Sequence, residues 1–385
     1  MDELKELVER VLNGEEPSAS LVERVFREAP LHALIEAADM LRRLAVGDRA
    51  SYVVNVYIAY TNVCIARCPI CSFYARRPED AYTLTPAQVE AVAAKFRREK
   101  NVTEAHVTGG FNPELTPDYY LDIVRRLKRL GLTVKAFTAE EVSFIAREWG
   151  ESVERLLEEL REAGLDAMPG GGAEVLTDRV RRIVAPAKGG ADEYLAVHRA
   201  AHRLGIRSNI TLLYGHVEEP RDIAEHLVKV RRLQAETGGV LSFIPLRWRP
   251  GGSALASNPR YREAIEAKQT PLYDLRVIAV SRIALYPLVR HIVAYWVSLG
   301  EELASVALRA GADDLGGTFY NEPVVTAATG GGRSRGLEPE RLEFIIAVAG
   351  LEPCERNTFY KCIGFRSKGS IAWRSAEWLQ WRPST

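Results

Sequence analysis

The sequence predicts an α/β protein, a (βα)8 barrel of TIM type with a helical prelude at its N-terminus. From about residue 50, short apolar runs alternate with charged amphipathic stretches, the pattern of βα units around a parallel sheet. Eight such apolar runs are present, the number that closes a barrel. A length of 385 residues suits one barrel with appendages.

Residues 1–50 place leucines and valines at helical spacing and read as two or three short helices packed on the barrel. The barrel is expected over residues 51–320. Its first four strands are read at Val53–Tyr60, Glu104–Thr108, Thr133–Phe137 and Asp166–Pro169. The other four are read at Arg207–Tyr214, Val240–Pro245, His291–Val297 and Asp313–Gly316. Helix starts and stops agree. Thr85-Pro86-Ala87-Gln88 sets a capping threonine before an N1 proline with glutamine three residues on, and Thr116-Pro117 repeats the device. Gly131, Gly164 and Gly205 each follow a helical stretch and precede a strand, as helix-ending glycines do. Residues 321–363 are read as a segment closing the barrel, with Thr329–Ser334 as a flexible surface loop. Residues 364–385 mix Arg366, Lys368, Arg374 and Arg382 with Trp373, Trp378 and Trp381. They are read as a loosely packed or added extension rather than as a nucleic-acid or membrane surface.

Charge and composition narrow the function classes. Lys+Arg and Asp+Glu are both 51, so the chain has no basic excess and is not expected to partner nucleic acid. Hydrophobic residues at 47% mark a globular chain. The acidic N-terminus lacks the order of a signal peptide, and the longest uncharged run, Ala50–Ala66, is short and interrupted by polar residues. No membrane partner and a cytoplasmic location are therefore expected.

Three of the five cysteines, Cys64, Cys68 and Cys71, form a C-x3-C-x2-C cluster directly after the first strand. That is the barrel face where enzymes of this architecture place their chemistry. Three thiolates suit three irons of a [4Fe–4S] cluster and leave the fourth iron open to an outside ligand. A structural zinc ion needs a fourth ligand, and the remaining Cys354 and Cys362 are distant. These two are read as ordinary thiols or a local disulfide.

At these residues the chain resembles the radical S-adenosylmethionine (SAM) superfamily, whose hallmark is this spacing with an aromatic, here Phe73, after the last cysteine. The resemblance implies a [4Fe–4S] cluster on the three cysteines and SAM as co-substrate, chelated at the open iron. It further implies that Gly109 and Gly110, after the second strand, meet the SAM amino group. Glu174, in Met168-Pro169-Gly170-Gly171-Gly172-Ala173-Glu174, is placed to accept from ribose hydroxyls. The fifth strand, with Asn209 and Leu213, resembles the adenine-contacting element, with Thr211 in place of its first glycine. Lys188 is a candidate for the SAM carboxylate.

The likeness is to the futalosine-pathway branch. It is carried by Pro169–Glu174, His198-Arg199-Ala200-Ala201-His202-Arg203-Leu204-Gly205, Gln234–Gly239 and Gly311-Ala312-Asp313-Asp314-Leu315. Within that branch Lys135–Glu141, Phe243–Leu246, Ala294–Gly300 and Glu352–Arg356 resemble the aminofutalosine synthases. Asn112-Pro113 is closer to the cyclic dehypoxanthinylfutalosine synthases, and Asn321 and Thr326 replace an expected Glu and His. The first family implies addition of the 5′-deoxyadenosyl radical to 3-[(1-carboxyvinyl)oxy]benzoate, giving 6-amino-6-deoxyfutalosine with decarboxylation, in menaquinone biosynthesis. The partners implied are this small dicarboxylate and an electron donor such as flavodoxin or ferredoxin. A dianion needs cationic partners. Arg247 and Arg249, after the sixth strand, stand at the correct face, with Arg290 a weaker candidate, and Glu141 is read as facing the barrel mouth. His216 is read as a base or a structural loop histidine, and the His198–His202 pair as solvent-facing. The contrasting class is an iron–sulfur electron carrier, in which the glycine and glutamate elements would have no task.

Overall fold

The computed structural model describes residues 2–329 and 334–364. Three helices open the chain: α1 (Asp2–Leu12), α2 (Ala19–Glu28) and α3 (Leu31–Val46). The side chain of Ser18 caps α2 by accepting from Leu21 N at 3.2 Å. These helices lie on the outer helices of the barrel, α2 against Pro220–Thr237 and α3 against Pro271–Leu285. The second of these is consequently buried on nearly every side from Val277 to Leu285.

Six parallel strands make one continuous sheet in the order β2 to β7. They are β2 (Asn55–Ala59), β3 (Glu104–Thr108), β4 (Thr133–Ala136), β5 (Ala167–Met168), β6 (Arg207–Tyr214) and β7 (Val240–Arg247). Their register is regular at the start, with Asn55 opposite Glu104 and Glu104 opposite Thr133. Both faces are covered, so β2 is buried at all five positions, and it reads as an apolar run rather than an alternation.

The expected seventh and eighth strands are present in weaker form. Ile292 and Val293 make only isolated bridges, to Phe243 and to Asp314, while β8 (Asp314–Gly317) is a short strand. A further bridge joins Tyr320 to Val56, returning the ring to β2. The architecture is thus a (βα)6 partial barrel whose remaining gap is spanned by these last two stretches.

The run read as the first strand, Val53–Tyr60, holds β2, and a separate strand not expected from the sequence precedes it. Val54 separates β2 from this β1 (Arg49–Val53), which lies outside the barrel sheet. β1 enters a second sheet, of order β10-β9-β1-β8, with β9 (Glu352–Arg356) and β10 (Cys362–Gly364). Cys354 and Cys362 form a disulfide between β9 and β10.

The capping signals operate unequally. Thr85 and Gln88 form the full reciprocal box, at 3.2 and 2.8 Å. Thr116 caps by backbone position alone, and its side chain takes no helix N–H. Gly131 and Gly164 end their helices at φ 71° and 112°, where a side chain would be strained. No helix among the described residues is long and apolar enough to cross a membrane. The Trp-rich extension and most of the Thr329–Ser334 loop lie outside the described residues.

Candidate active site

A cavity of about 330 Å³ occupies the mouth and interior of the barrel. Its wall includes Cys64, Cys68, Cys71, Phe73, Gly109, Gly110, Glu141, Glu174, Lys188, Asn209, Leu213, Arg247 and Arg249, all of them candidates from the sequence.

The cysteine loop leaves β2 and is fastened on two sides. Ile65 N donates to Phe111 O at 3.0 Å, beyond β3. From the segment after β7, Trp248 Nε1 donates to Ile70 O at 3.0 Å and Leu255 N to Pro69 O at 2.9 Å. All three thiols are unpaired; Cys68 is buried, and Cys64 and Cys71 are half-buried. Burial pushes the Cys68 thiol up to about 12, and Lys188 nearby opposes this. Such a sulfur becomes a thiolate when a metal takes it. Phe73 N donates to Cys71 Sγ at 3.3 Å, an orientation that favours negative charge on sulfur. Among the described residues no three His, Cys, Asp or Glu side chains gather on a single-ion point. A mononuclear site needs such a gathering, whereas a [4Fe–4S] cluster takes each thiolate on a different iron. The donor set fits the cluster.

The glycines after β3 are required by packing as well as by access. A Cβ on Gly110 would sit 2.8 Å from Cys64 Cβ, and one on Gly109 would strike the Tyr60 ring at 2.6 Å. Gly109 N donates to Glu141 Oε1 at 2.9 Å, as does Tyr60 OH, while Thr138 N and Oγ1 donate to Oε2 at 2.9 and 2.7 Å. Glu141 is the third residue of a capping box on the helix Ala139–Trp149. Its carboxyl, raised by burial to about 7 against these donors, is occupied in joining that helix to the Gly109 turn.

Across the cavity, Glu174 accepts from Lys188 Nζ at 2.6 Å. Burial disfavours its charge, but Lys188 prevails and holds the carboxyl below its ordinary value. Its backbone is left-handed, at φ 47°, and its carbonyl accepts from Leu213 N at 2.8 Å, which brings the two residues together. Thr211 uses its hydroxyl to hold Gly170 O at 2.6 Å, and Tyr194 OH holds the same oxygen at 2.7 Å. Asn209 Nδ2 donates to Ser242 Oγ at 2.7 Å on β7. Arg247 pairs with the buried Asp274 at 3.0 Å.

Several expectations are corrected. Arg290 is exposed and absent from the cavity wall. The His198–His202 pair faces the sheet: His198 is fully buried, and both rings meet Ser208 Oγ at 2.8 Å. The charged residues that suggested a solvated face occupy the rest of that helix. His216 is structural, with Nε2 donating to Leu213 O at 2.8 Å and Nδ1 accepting from Val217 N at 2.7 Å. Asn112 is turned away from the cavity and donates to Thr83 Oγ1 at 3.1 Å. Asn321 Nδ2 donates to Tyr57 O at 2.9 Å, and Thr326 Oγ1 to Glu322 O at 2.5 Å.

Sequence reasoning missed the polar floor of the cavity: Tyr57, His106, Lys135, Glu322, Arg356 and Tyr360. The first three were findable, since they occupy inward positions of β2, β3 and β4. Arg356 and Tyr360 arrive from β9 and the turn after it, and no local pattern announces them.

Comparison with known proteins adds the following. The model of the radical SAM superfamily matches residues 58–228, and that of the CofH/MqnC C-terminal region matches residues 237–368. The chain is 38% identical over 359 residues to the aminodeoxyfutalosine synthase of Thermus thermophilus, covering 92% of this chain and 94% of that one. It is also 38% identical over 337 residues to the 5-amino-6-(D-ribitylamino)uracil–L-tyrosine 4-hydroxyphenyl transferase 2 of Methanosarcina mazei, covering 86% and 85%. The corresponding transferase of Methanopyrus kandleri is 37% identical over 360 residues, covering 92% and 96%. Among solved structures, methylornithine synthase superposes with a TM-score of 0.68 at 18% identity, over 91% of this chain and 97% of that one. A maturase of the [FeFe]-hydrogenase, HydG, reaches 0.71 at 15% identity, over 92% and 77%. At such identities these two structures speak to the fold alone.

Proposed function

We propose, from the premise that the chain belongs to the radical SAM superfamily in its CofH/MqnC family, that it works as its aminodeoxyfutalosine synthase relative does. As a member of that superfamily it is an enzyme with a [4Fe–4S] cluster, SAM and a need for a reductant. The finer reading is that it joins C5′ of the SAM-derived deoxyadenosyl group to the enol-ether methylene of 3-[(1-carboxyvinyl)oxy]benzoate, with loss of the side-chain carboxylate. The supporting observation is that the cysteine triad, the Gly109–Gly110 turn, Glu174 and a pair of arginines all face one cavity.

Cys64, Cys68 and Cys71 would hold the cluster, which when bound supplies the electron that cleaves SAM. The remaining work falls to the chain. Gly109 and Gly110 leave the backbone bare beside the cysteine loop, so a ligand can approach closely. Glu174, kept ionised by Lys188, has lone pairs left for the ribose hydroxyls. Phe73, Asn209 and Leu213 complete that wall. Arg247 presents positive charge for the second substrate, held in place by Asp274. Glu141 acts as a positioning residue, fixing the Gly109 turn. Apolar wall residues such as Phe111, Ile244 and Leu246 keep water from an unpaired electron.

A second reading is transfer of the 4-hydroxyphenyl group of L-tyrosine to 5-amino-6-(D-ribitylamino)uracil, favoured by the Methanosarcina mazei relative at equal identity. One experiment separates them. Anaerobically reconstituted, reduced protein is given SAM with each substrate set in turn, and products are read by mass spectrometry. An adenosyl adduct of the enol ether supports the first reading. A tyrosine-derived adduct of the uracil replaces it with the second, and 5′-deoxyadenosine with neither adduct refutes both.

A further inference from the structure

The cations in the cavity wall are not alike. Five line it: Lys135, Lys188, Arg247, Arg249 and Arg356. Four have an acidic partner close by: Lys135 with Glu104 at 2.8 Å, Lys188 with Glu174 at 2.6 Å, Arg247 with Asp274 at 3.0 Å and Arg356 with Asp314 at 2.6 Å. Among the described residues, Arg249 has none. It makes no hydrogen bond among those residues, and its Nε is buried without an acceptor. It is half-buried, and although the charge of Asp274 reaches it, burial and the repulsion of Arg247 outweigh that attraction and lower its pKa. A guanidinium partly withdrawn from water, with a buried N–H that has no acceptor among the described residues, is costly, and a bound anion would offset that cost.

Position points to which anion. Arg249 follows β7, and the Gly109–Gly110 turn follows β3. In the ring β2 to β7, completed by residues 292–293 and β8, these strands lie on opposite sides of the mouth. The segment carrying Arg249 is held on the cysteine loop through Trp248 Nε1 to Ile70 O and Ser72 Oγ to Gly251 O, at 3.0 and 2.5 Å. Arg249 thus faces the cavity beside the cluster loop, from the wall opposite the SAM-binding turn.

We propose that Arg249 is the carboxylate anchor for the second substrate, setting its reacting carbon against the SAM-derived group, while Arg247, held by Asp274, adds a second positive charge to the same wall. The proposal rests on the reading of the cavity as a radical SAM site with a carboxylate-bearing second substrate, and it holds for either substrate set above. Arg249→Gln and Arg249→Lys are to be compared with the unaltered enzyme, using whichever substrate the latter converts. Loss of a charge-assisted pair predicts a KM for that substrate raised about 10–100-fold in Arg249→Gln, with partial recovery in Arg249→Lys. The dissociation constant of SAM, measured by equilibrium binding, is expected to move far less. A methyl ester of the benzoate carboxylate of the enol ether, or of the L-tyrosine carboxylate, poor for the unaltered enzyme, should be used by Arg249→Gln about as well as the free acid. An unchanged KM in both variants overturns the proposal. A loss confined to SAM affinity overturns it in favour of the methionyl carboxylate. If the unaltered enzyme converts neither substrate set, the functional reading fails, and L-tyrosine and the enol ether serve as binding probes for the same comparison.

Discussion

Replacing Gly110 by alanine tests whether the turn after β3 and the cysteine loop are fitted to one another. The added methyl carbon would lie 2.8 Å from Cys64 Cβ and 2.8 Å from the Val63 carbonyl carbon. Carbon atoms settle at about 3.5 Å or more, so loop or turn must yield by roughly 0.7 Å. Neither is free to do so, because Gly110 N donates to Thr61 O and Ile65 N to Phe111 O, both at 3.0 Å, on either side of the overlap. Overpacking of this kind costs about 1–3 kcal/mol. In a chain this long that is only a few degrees of Tm. The displacement falls on a ligand loop, however, so cluster retention should suffer more than global stability. The assay is iron and sulfide per chain after anaerobic reconstitution, alongside Tm and reductive SAM cleavage. Gly190→Ala is the control, since its methyl would meet only Asp178 Oδ1 at 3.7 Å. Iron content of Gly110→Ala should fall by about half or more while the control keeps its full complement. Full iron content together with undiminished SAM cleavage would refute the reasoning.

Alanine at Cys64, Cys68 or Cys71 should each reduce SAM cleavage to background while leaving far-ultraviolet circular dichroism unchanged; residual cleavage in any of them would remove that cysteine from the ligand set. Glu174→Gln should raise the KM for SAM about 10-fold or more, as expected for a charged acceptor of ribose hydroxyls, and an unchanged KM would dissociate Glu174 from SAM. Burial lowers the imidazole of His106 to about 3, that of His226 to about 3 and that of His202 to about 4. Below pH 6.5 the unfolded chain takes up protons that the fold refuses, so stability is full above that pH and declines as pH falls towards 3–4. The loss should be about 1 kcal/mol per histidine between pH 7 and 5.5, and denaturant midpoints that coincide at those two pH values would contradict it. The Cys354–Cys362 disulfide closes a short loop, for which chain entropy allows about 2–3 kcal/mol. Cys362→Ser should lower the denaturant midpoint accordingly, and an unchanged midpoint would deny the crosslink a role in stability.

Much of this arrangement is legible in the sequence. Alternation of apolar runs and amphipathic stretches locates the six strands of the partial barrel and the two stretches that span its gap, because a parallel sheet buried on both faces leaves continuous apolar runs. The cysteine spacing and its place after the first strand direct attention to one end of the barrel, and the glycine and glutamate motifs lead to the same cavity. What escapes notice depends on contacts far apart in the chain. β1 is missed, the first strand being read only from Val53, since nothing local says that Arg49–Val53 forms a strand that meets β8 and β9. Glu352–Arg356 is charged and carries a proline, so it gives no strand signal, yet it delivers Arg356 to the cavity floor. The His198–His202 helix misleads in the opposite direction: its charges are conspicuous, and the small alanines that let it press on the sheet are not.

The pairing of β1 with β9 has a consequence for how the enzyme is made. Arg49 aligns with Glu352 and Tyr52 with Glu355, so the ladder joins the start of the barrel to residues synthesised some three hundred positions later. Loop closure over such a separation is slow, and it cannot begin until nearly the whole chain has left the ribosome. The cysteine loop, by contrast, is complete within the first fifth of the chain. During synthesis its thiols therefore wait beside an unfinished cavity, open to oxygen and to stray metal ions. Delivery of iron and sulfide is best timed after the last strand docks, and slower translation of the C-terminal third would lengthen the interval in which the nascent site is vulnerable.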